Sequence, residues 1–215
     1  MFIKFENLPK EKKRKIIEVS LIEFGENGFI SASTNNIVQK AGISKGALFN
    51  YFGNKKNLYF YLVDYCIKIL EKNIFESDAM KETDVIKKMI EVSQVKLNIF
   101  KENRSMYNFL ISFYKKTPYE IEEEFNKRSE IIKNESFLKL YENIDYSLFK
   151  EDTDIPKAMK ILTWTIESFS EEKLKEIKRK FRKGQNSDLL SDKFFSNMMD
   201  ELISYLDIFR KTFYK

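Results

Sequence analysis

The chain has 215 residues, 43% of them hydrophobic, with 38 basic and 33 acidic side chains, three prolines, six glycines and no histidine. That is enough apolar material for a sizeable core and too few breakers for a strand-rich protein, while the missing histidine excludes His-dependent triads and HExxH zinc sites. One cysteine, Cys66, excludes an internal disulfide and offers no metal cluster; with histidine missing as well, neither a cofactor nor a metal is expected, nor an enzyme.

The net charge of +5 sits entirely at one end. Residues 1–56 carry nine Lys and one Arg against five Glu, and the remainder of the chain is balanced. No carboxylate occurs between Glu26 and Asp64. A basic surface kept free of acids suits approach to a polyanion, because each carboxylate would repel phosphates over a Debye length of about 8 Å; a merely solvated basic face is the plain alternative. The opening MFIKFENLPKEKKRK lacks the apolar run of a signal peptide, and no stretch of about 18 uncharged apolar residues suggests a membrane span, so a cytoplasmic location is expected.

Asn7 and Pro9 mark a helix start, and Ile16, Ile17, Ser20, Leu21 and Phe24 recur at helical spacing, predicting a first helix over 9–27 that Gly28 and Phe29 close. Ser33 caps a second helix, from Thr34 to Lys40, ended by Gly42. Ser44 caps a third that is equally short, and Asn54 caps a fourth running from Lys55 through Leu58, Leu62, Tyr65 and Ile69. Two short helices joined by Ala41, Gly42, Ile43 and Ser44 make a helix-turn-helix. Further on, Thr83 starts a helix to about Asn103 and another covers Arg104 to Lys116. Thr117-Pro118-Tyr119-Glu120 reads as a capping box opening a helix toward Leu140, and 143–154 is irregular. Pro156 opens a long helix ended by Arg182-Lys183-Gly184, and Ser187-Asp188 caps the last one.

On the third helix Leu48 and Phe52, four apart, face inward, leaving Lys45, Gly46, Ala47, Phe49, Asn50 and Tyr51 as an outward recognition surface. A helix entering the major groove needs small residues in its leading turn and donors on its flanks, which this stretch supplies. The alternative, a helical corner whose glycines turn and whose aromatics fill a core, is the right reading for Leu48, Phe52, Ile37 and Ile43.

The run Arg14-Lys15-Ile16-Ile17, Phe24, Gly28-Phe29, Ser33, Ile37-Val38, Ala41-Gly42-Ile43-Ser44-Lys45-Gly46, Leu48-Phe49, Phe52, Lys55 and Leu58 resembles the TetR family of bacterial transcriptional regulators over about a quarter of the chain. The resemblance implies an all-α fold. An N-terminal three-helix DNA-binding domain, residues 1–56 with the helix-turn-helix at about 33–52, is expected to join through the fourth helix to a larger ligand-binding and dimerisation domain, 57–215. It also implies DNA contacts at the matching positions. Lys45 suits guanine O6 and N7, Asn50 adenine N6 and N7, and Ala47 or Phe49 a thymine methyl; Ser33, Thr34, Asn35, Ser44, Tyr51 and Lys55 complete the set, chiefly toward phosphates. Position 49 departs from the family, many of whose members carry Tyr there: Phe49 has no hydroxyl, which leaves that phosphate contact to Tyr51.

The expected partner is a palindromic double-stranded operator bound by a homodimer, since one helix-turn-helix neutralises few phosphates. The resemblance places the dimer surface on the last two helices, at Ile161, Phe169, Phe194, Met198, Leu202, Leu206 and Phe209. It places a pocket for a small, mainly hydrophobic effector among Tyr61, Tyr65, Phe100, Met106, Phe109, Phe113, Phe137, Tyr141 and Trp164. Release of a repressor by that ligand is the leading expectation. The alternative is a helical small-molecule or lipid-binding protein whose basic end meets an anionic membrane; glycine-turned short helices, rather than one amphipathic helix, favour DNA.

Overall fold

The computed structural model describes residues 2–113, 117–182 and 191–215, with the side chains of 129, 131–137 and 181–182 set aside. Among the described residues every regular element is helical: α1 (Ile3–Glu6), α2 (Lys10–Ser31), α3 (Thr34–Ala41), α4 (Lys45–Phe52), α5 (Lys55–Phe75), α6 (Val85–Glu102), α7 (Arg104–Ser112), α8 (Tyr119–Leu140), α9 (Ile155–Arg182) and α10 (Asp192–Phe213). Short 3-10 turns occupy Asp78–Lys81 and Tyr146–Leu148. No described helix is long and apolar enough to cross a membrane.

The chain packs into two compact units, Met1–Glu71 with Phe100–Ile132, and Lys72–Ile99 with Lys133–Lys215. The unit holding the helix-turn-helix therefore takes in more than residues 1–56: it adds most of α5, all of α7 and the start of α8.

In the first unit, α2 breaks at Gly28, whose φ of 67° and ψ of 176° form an extended positive-φ conformation that glycine adopts without a Cβ penalty, and a further turn runs on to Ser31. Phe24 and Tyr59 meet edge to face at 5.2 Å, and Phe109 of α7 closes on Tyr59 at 5.1 Å. The approach of α7 to α2 is close enough that a Cβ on Gly25 would stand 3.2 Å from the Phe109 backbone nitrogen. Ser105 Oγ adds a hydrogen bond to Glu18 Oε2 at 3.2 Å. Arg128 of α8 donates to both oxygens of Asp64 at 2.7 and 2.8 Å and to Glu124 at 2.8 Å, with its guanidinium over the Phe60 ring. Cys66 is fully enclosed, and burial pushes its thiol well above the usual range.

In the second unit, Val85, Ile86, Met89, Phe149, Leu162, Phe169, Leu202, Leu206 and Phe209 form the core. Asp84, rather than Thr83, caps α6: its Oδ1 accepts the Ile86 N–H at 2.9 Å. The same carboxylate accepts from Arg210 at 2.9 Å and from the Tyr214 hydroxyl at 3.0 Å, tying the end of α10 to the start of α6. The stretch expected to be irregular contains the Tyr146–Leu148 turn and a single antiparallel bridge between Phe149 and Tyr214. The described part of α10 begins at a cap by Ser191; Gly184, Ser187 and Asp188 lie outside the described residues.

The expected dimer surface needs correction here. Phe169, Leu202, Leu206 and Phe209 belong to the chain's own core, and Met198 packs against it. Both α9 and α10 carry apolar residues on more than one face, and periodicity alone cannot say which face turns inward. Among the described residues, the large exposed apolar side chains on these helices are Ile161, Trp164, Leu174, Tyr205 and Ile208, and the expected dimer surface shares only Ile161 with them. Phe194 is half-buried with Lys180 Nζ above its ring.

Candidate nucleic-acid interface

The helix-turn-helix is built by local chemistry. Ser33 Oγ accepts the Asn36 N–H, satisfying one open donor of α3, and Gly42, at φ 70°, ends that helix in the left-handed conformation. The Ile43 N–H then returns to the Val38 carbonyl at 3.1 Å. Ser44 Oγ accepts the Ala47 N–H at 3.1 Å to open α4, Gly53 closes it at φ 77°, and Asn54 Oδ1 accepts the Asn57 N–H at 2.8 Å to open α5. These caps fall where the sequence places them.

On α4 the inward residues are Leu48 and Phe52, each 2% exposed. Lys45, Gly46 and Asn50 are exposed, and Ala47, Phe49 and Tyr51 are half-buried at the edges of that face. A Cβ on Gly46 would meet nothing nearer than Ser44 Oγ at 4.0 Å, so packing does not demand glycine there; its effect is to keep the leading turn of α4 low. Asn35 and Ser44 are exposed, with Ser33 and Thr34 half-buried, at the starts of α3 and α4. The Ser33 and Ser44 oxygens accept cap bonds, which leaves each hydroxyl proton as a donor for an anion.

Lys55 is placed differently from the expectation. Its Nζ donates to the Ile30 carbonyl at 3.0 Å and lies over the Phe29 ring at 5.2 Å, pinning the end of α2 to the start of α5. Burial pulls its ammonium below the usual lysine range, with the Glu23 carboxylate opposing. Glu23, 2% exposed, accepts the Ser33 N–H at 2.8 Å and the Asn27 amide at 3.1 Å. The buried carboxylate thus fixes α3 against α2 from behind, away from the exposed face of α4.

Sequence reasoning missed α1. Phe5, fully enclosed, packs on Tyr51 at 5.8 Å, Phe52 at 4.7 Å and Tyr61 at 5.2 Å; Phe2 adds contacts to Phe52 and Tyr61. Glu6 accepts from the Tyr61 hydroxyl at 2.8 Å and from Lys13 at 3.3 Å. Lys4 Nζ donates to Asn50 Oδ1 at 2.8 Å, placing a lysine from outside the helix-turn-helix on the recognition face. The spacing of Phe2 and Phe5, three apart around a lysine, was the available signal.

The residues expected to line one effector pocket divide between the two units. Met106, Phe109 and Phe113 are buried in the first, where Phe113 stacks on Phe125 at 4.0 Å and Tyr61 belongs to the α1 cluster; Tyr65 and Phe100 are half-buried there. In the second, the Tyr141 hydroxyl shares a hydrogen bond with Thr163 at 2.9 Å, and Trp164 is 56% exposed under Lys160. The Phe137 side chain lies outside those described. Among the described residues no group of three His, Cys, Asp or Glu could hold a metal ion.

Residues 16–62 match the family model described as "Bacterial regulatory proteins, tetR family". The chain is 37% identical over 84 residues to an uncharacterized HTH-type transcriptional regulator of Bacillus subtilis, YerO; the match spans 37% of this chain and 29% of that regulator's length. Its fold is similar to that of a putative TetR-family regulator from Syntrophomonas wolfei, with a TM-score of 0.62 at 20% identity over 94% of this chain and 95% of that one. It is also similar to FadR from Bacillus subtilis, solved in complex with stearoyl-CoA, with a TM-score of 0.52 at 18% identity over 89% and 97% of the two chains.

Proposed function

We propose that this chain, whose N-terminal domain is that of the TetR family, is a homodimeric, sequence-specific transcriptional repressor that a small hydrophobic ligand releases from its operator. The observation that carries the reading is the outward face of α4. Lys45, Gly46 and Asn50 stand exposed in a segment without a carboxylate from 27 to 63, on a helix locked from behind by Leu48 and Phe52, while the Glu23–Ser33 bond fixes α3 before it. Lys45 meets guanine, Ala47 and Phe49 meet apolar base edges, and the Ser33, Thr34, Asn35, Ser44 and Tyr51 donors meet phosphates. Lys55 acts from behind, by holding Ile30, rather than by direct contact.

Dimerisation is supported by the exposed, mainly apolar groove lined by Ile161, Trp164, Thr165, Ser168, Phe169, Glu172 and Tyr205, with the exposed Ile208 three residues on from Tyr205 in α10. A second copy covers this face, and two α4 helices then read half-sites about 34 Å apart or a multiple of that. Trp164 is the chain's single tryptophan, so its emission reports this face alone. Dilution is expected to shift it to the red as dimers part, and Trp164→Glu to yield monomers in sedimentation.

The effector has a long apolar portion. The stearoyl-CoA bound to the B. subtilis FadR makes a long-chain acyl-CoA the first probe. Genomic fragments captured by the purified chain are expected to share an inverted repeat and to be released by that probe. Fragments with no common sequence would contradict the regulator reading, and retention despite a rise in melting temperature would contradict the coupling.

A further inference from the structure

Asn50 is exposed on α4, and the atom it turns toward α1 is fixed by chemistry. An ammonium has three donors and no acceptor, so the group 2.8 Å from Lys4 Nζ is the carbonyl oxygen, and the Asn50 amide nitrogen is left as the outward donor. The lysine is not on a loose tail. Phe5 beside it is fully enclosed among Tyr51, Phe52 and Tyr61, and Glu6 is held by the Tyr61 hydroxyl and Lys13.

This arrangement changes what Asn50 can read. Pairing with adenine needs an oxygen for the N6 amino group and a donor for N7; Lys4 takes one of the two lone pairs of the Asn50 oxygen, and its ammonium, standing beside the other, opposes the approach of a second donor. Guanine presents two acceptors, O6 and N7, to the same groove. We propose that Lys4 and Asn50 act as a donor-only pair that selects guanine and rejects adenine, Lys4 being a specificity-determining residue supplied from outside the helix-turn-helix. The ammonium contributes twice: it holds the Asn50 oxygen, and its remaining protons and charge face the electronegative guanine edge. The N6 amino group of adenine would instead meet two donors. This inference rests on the DNA-binding reading of α4.

The test is selection from a pool of randomised 30-base-pair duplexes by the full chain and by Asn50→Ala, Lys4→Met and Lys4→Arg, all at exposed positions. The base pair whose preference Asn50→Ala abolishes identifies the contact. There the wild type is expected to favour guanine over adenine by about tenfold or more. Lys4→Met, which keeps the apolar stem and removes the charge, is expected to lose most of that preference and move toward adenine, and Lys4→Arg to retain guanine. A wild-type preference for adenine at that base pair would overturn the proposal. So would a Lys4→Met pool with the wild-type base preference, even at lower affinity, because that is the signature of a phosphate contact. A wild-type pool with nothing enriched would instead overturn the DNA-binding reading, and this proposal with it.

Discussion

Glu23 Oε1 accepts the backbone N–H of Ser33 at 2.8 Å from within the first unit, ten residues back along the chain. The bond satisfies the residue that caps α3, so the cap and the helix behind it are joined through one carboxylate. Glu23→Ala leaves the Ser33 N–H without this partner in a poorly solvated place, at a cost of about 1–3 kcal/mol. At about 2–4 °C per kcal/mol for a chain of this size, a melting temperature lower by roughly 2–12 °C is expected. Glu23→Gln, which retains an acceptor oxygen, should recover most of it, and equal losses for the two variants would show that the acceptor is not what matters.

Gly25 and Gly46 should respond oppositely to alanine. At Gly25 the added Cβ stands 3.2 Å from both the Asn108 Cβ and the Phe109 nitrogen, inside normal contact, so α7 must shift. Overpacking of about 1–3 kcal/mol is expected to outweigh the helix-propensity gain of about 1 kcal/mol. At Gly46 the space is open, and alanine should stabilise by about 0.5–1 kcal/mol. Because that methyl stands on the recognition face, Gly46→Ala should bind DNA more weakly while melting higher. Thermal melts and duplex titrations of both variants check the pair.

Asp84 carries a pH dependence with a definite sign. Burial would raise its carboxyl, but hydrogen bonds from Arg210, the Lys87 N–H and Tyr214 outweigh that and hold it below the usual aspartate range. A lowered folded-state value means that the stabilisation is complete above the unfolded value of about 3.9 and is lost as pH falls through the folded one. Asp84→Asn is expected to be less stable than the wild type by about 1–3 kcal/mol at pH 6, with the gap narrowing below about pH 4. Denaturant titrations from pH 6 to 3 measure it, and a constant gap would be the wrong result.

The helix-turn-helix was legible because its signals are local. Ser33, Ser44 and Asn54 cap within three residues, and Gly42 ends α3 by backbone conformation alone. What the sequence concealed depends on distant partners. Lys55 reads as a phosphate donor in the sequence, but the Ile30 carbonyl, 25 residues away, claims its ammonium, and Lys4, which no local signal singles out, reaches Asn50 because Phe5 anchors α1 on Phe52. Likewise Leu202, Leu206 and Phe209 share a helix with the exposed Tyr205 and Ile208, and only packing decides which of these faces is inside.

The central claim is that the exposed face of α4 reads base sequence. Its most direct test is a titration of the full chain against a captured genomic duplex and a scrambled duplex of equal length and composition, across a salt series. A preference of about a thousandfold or more near 0.15 M salt is predicted, with log affinity falling linearly with log salt for both duplexes. Equal affinity for the two duplexes at every salt concentration would contradict it.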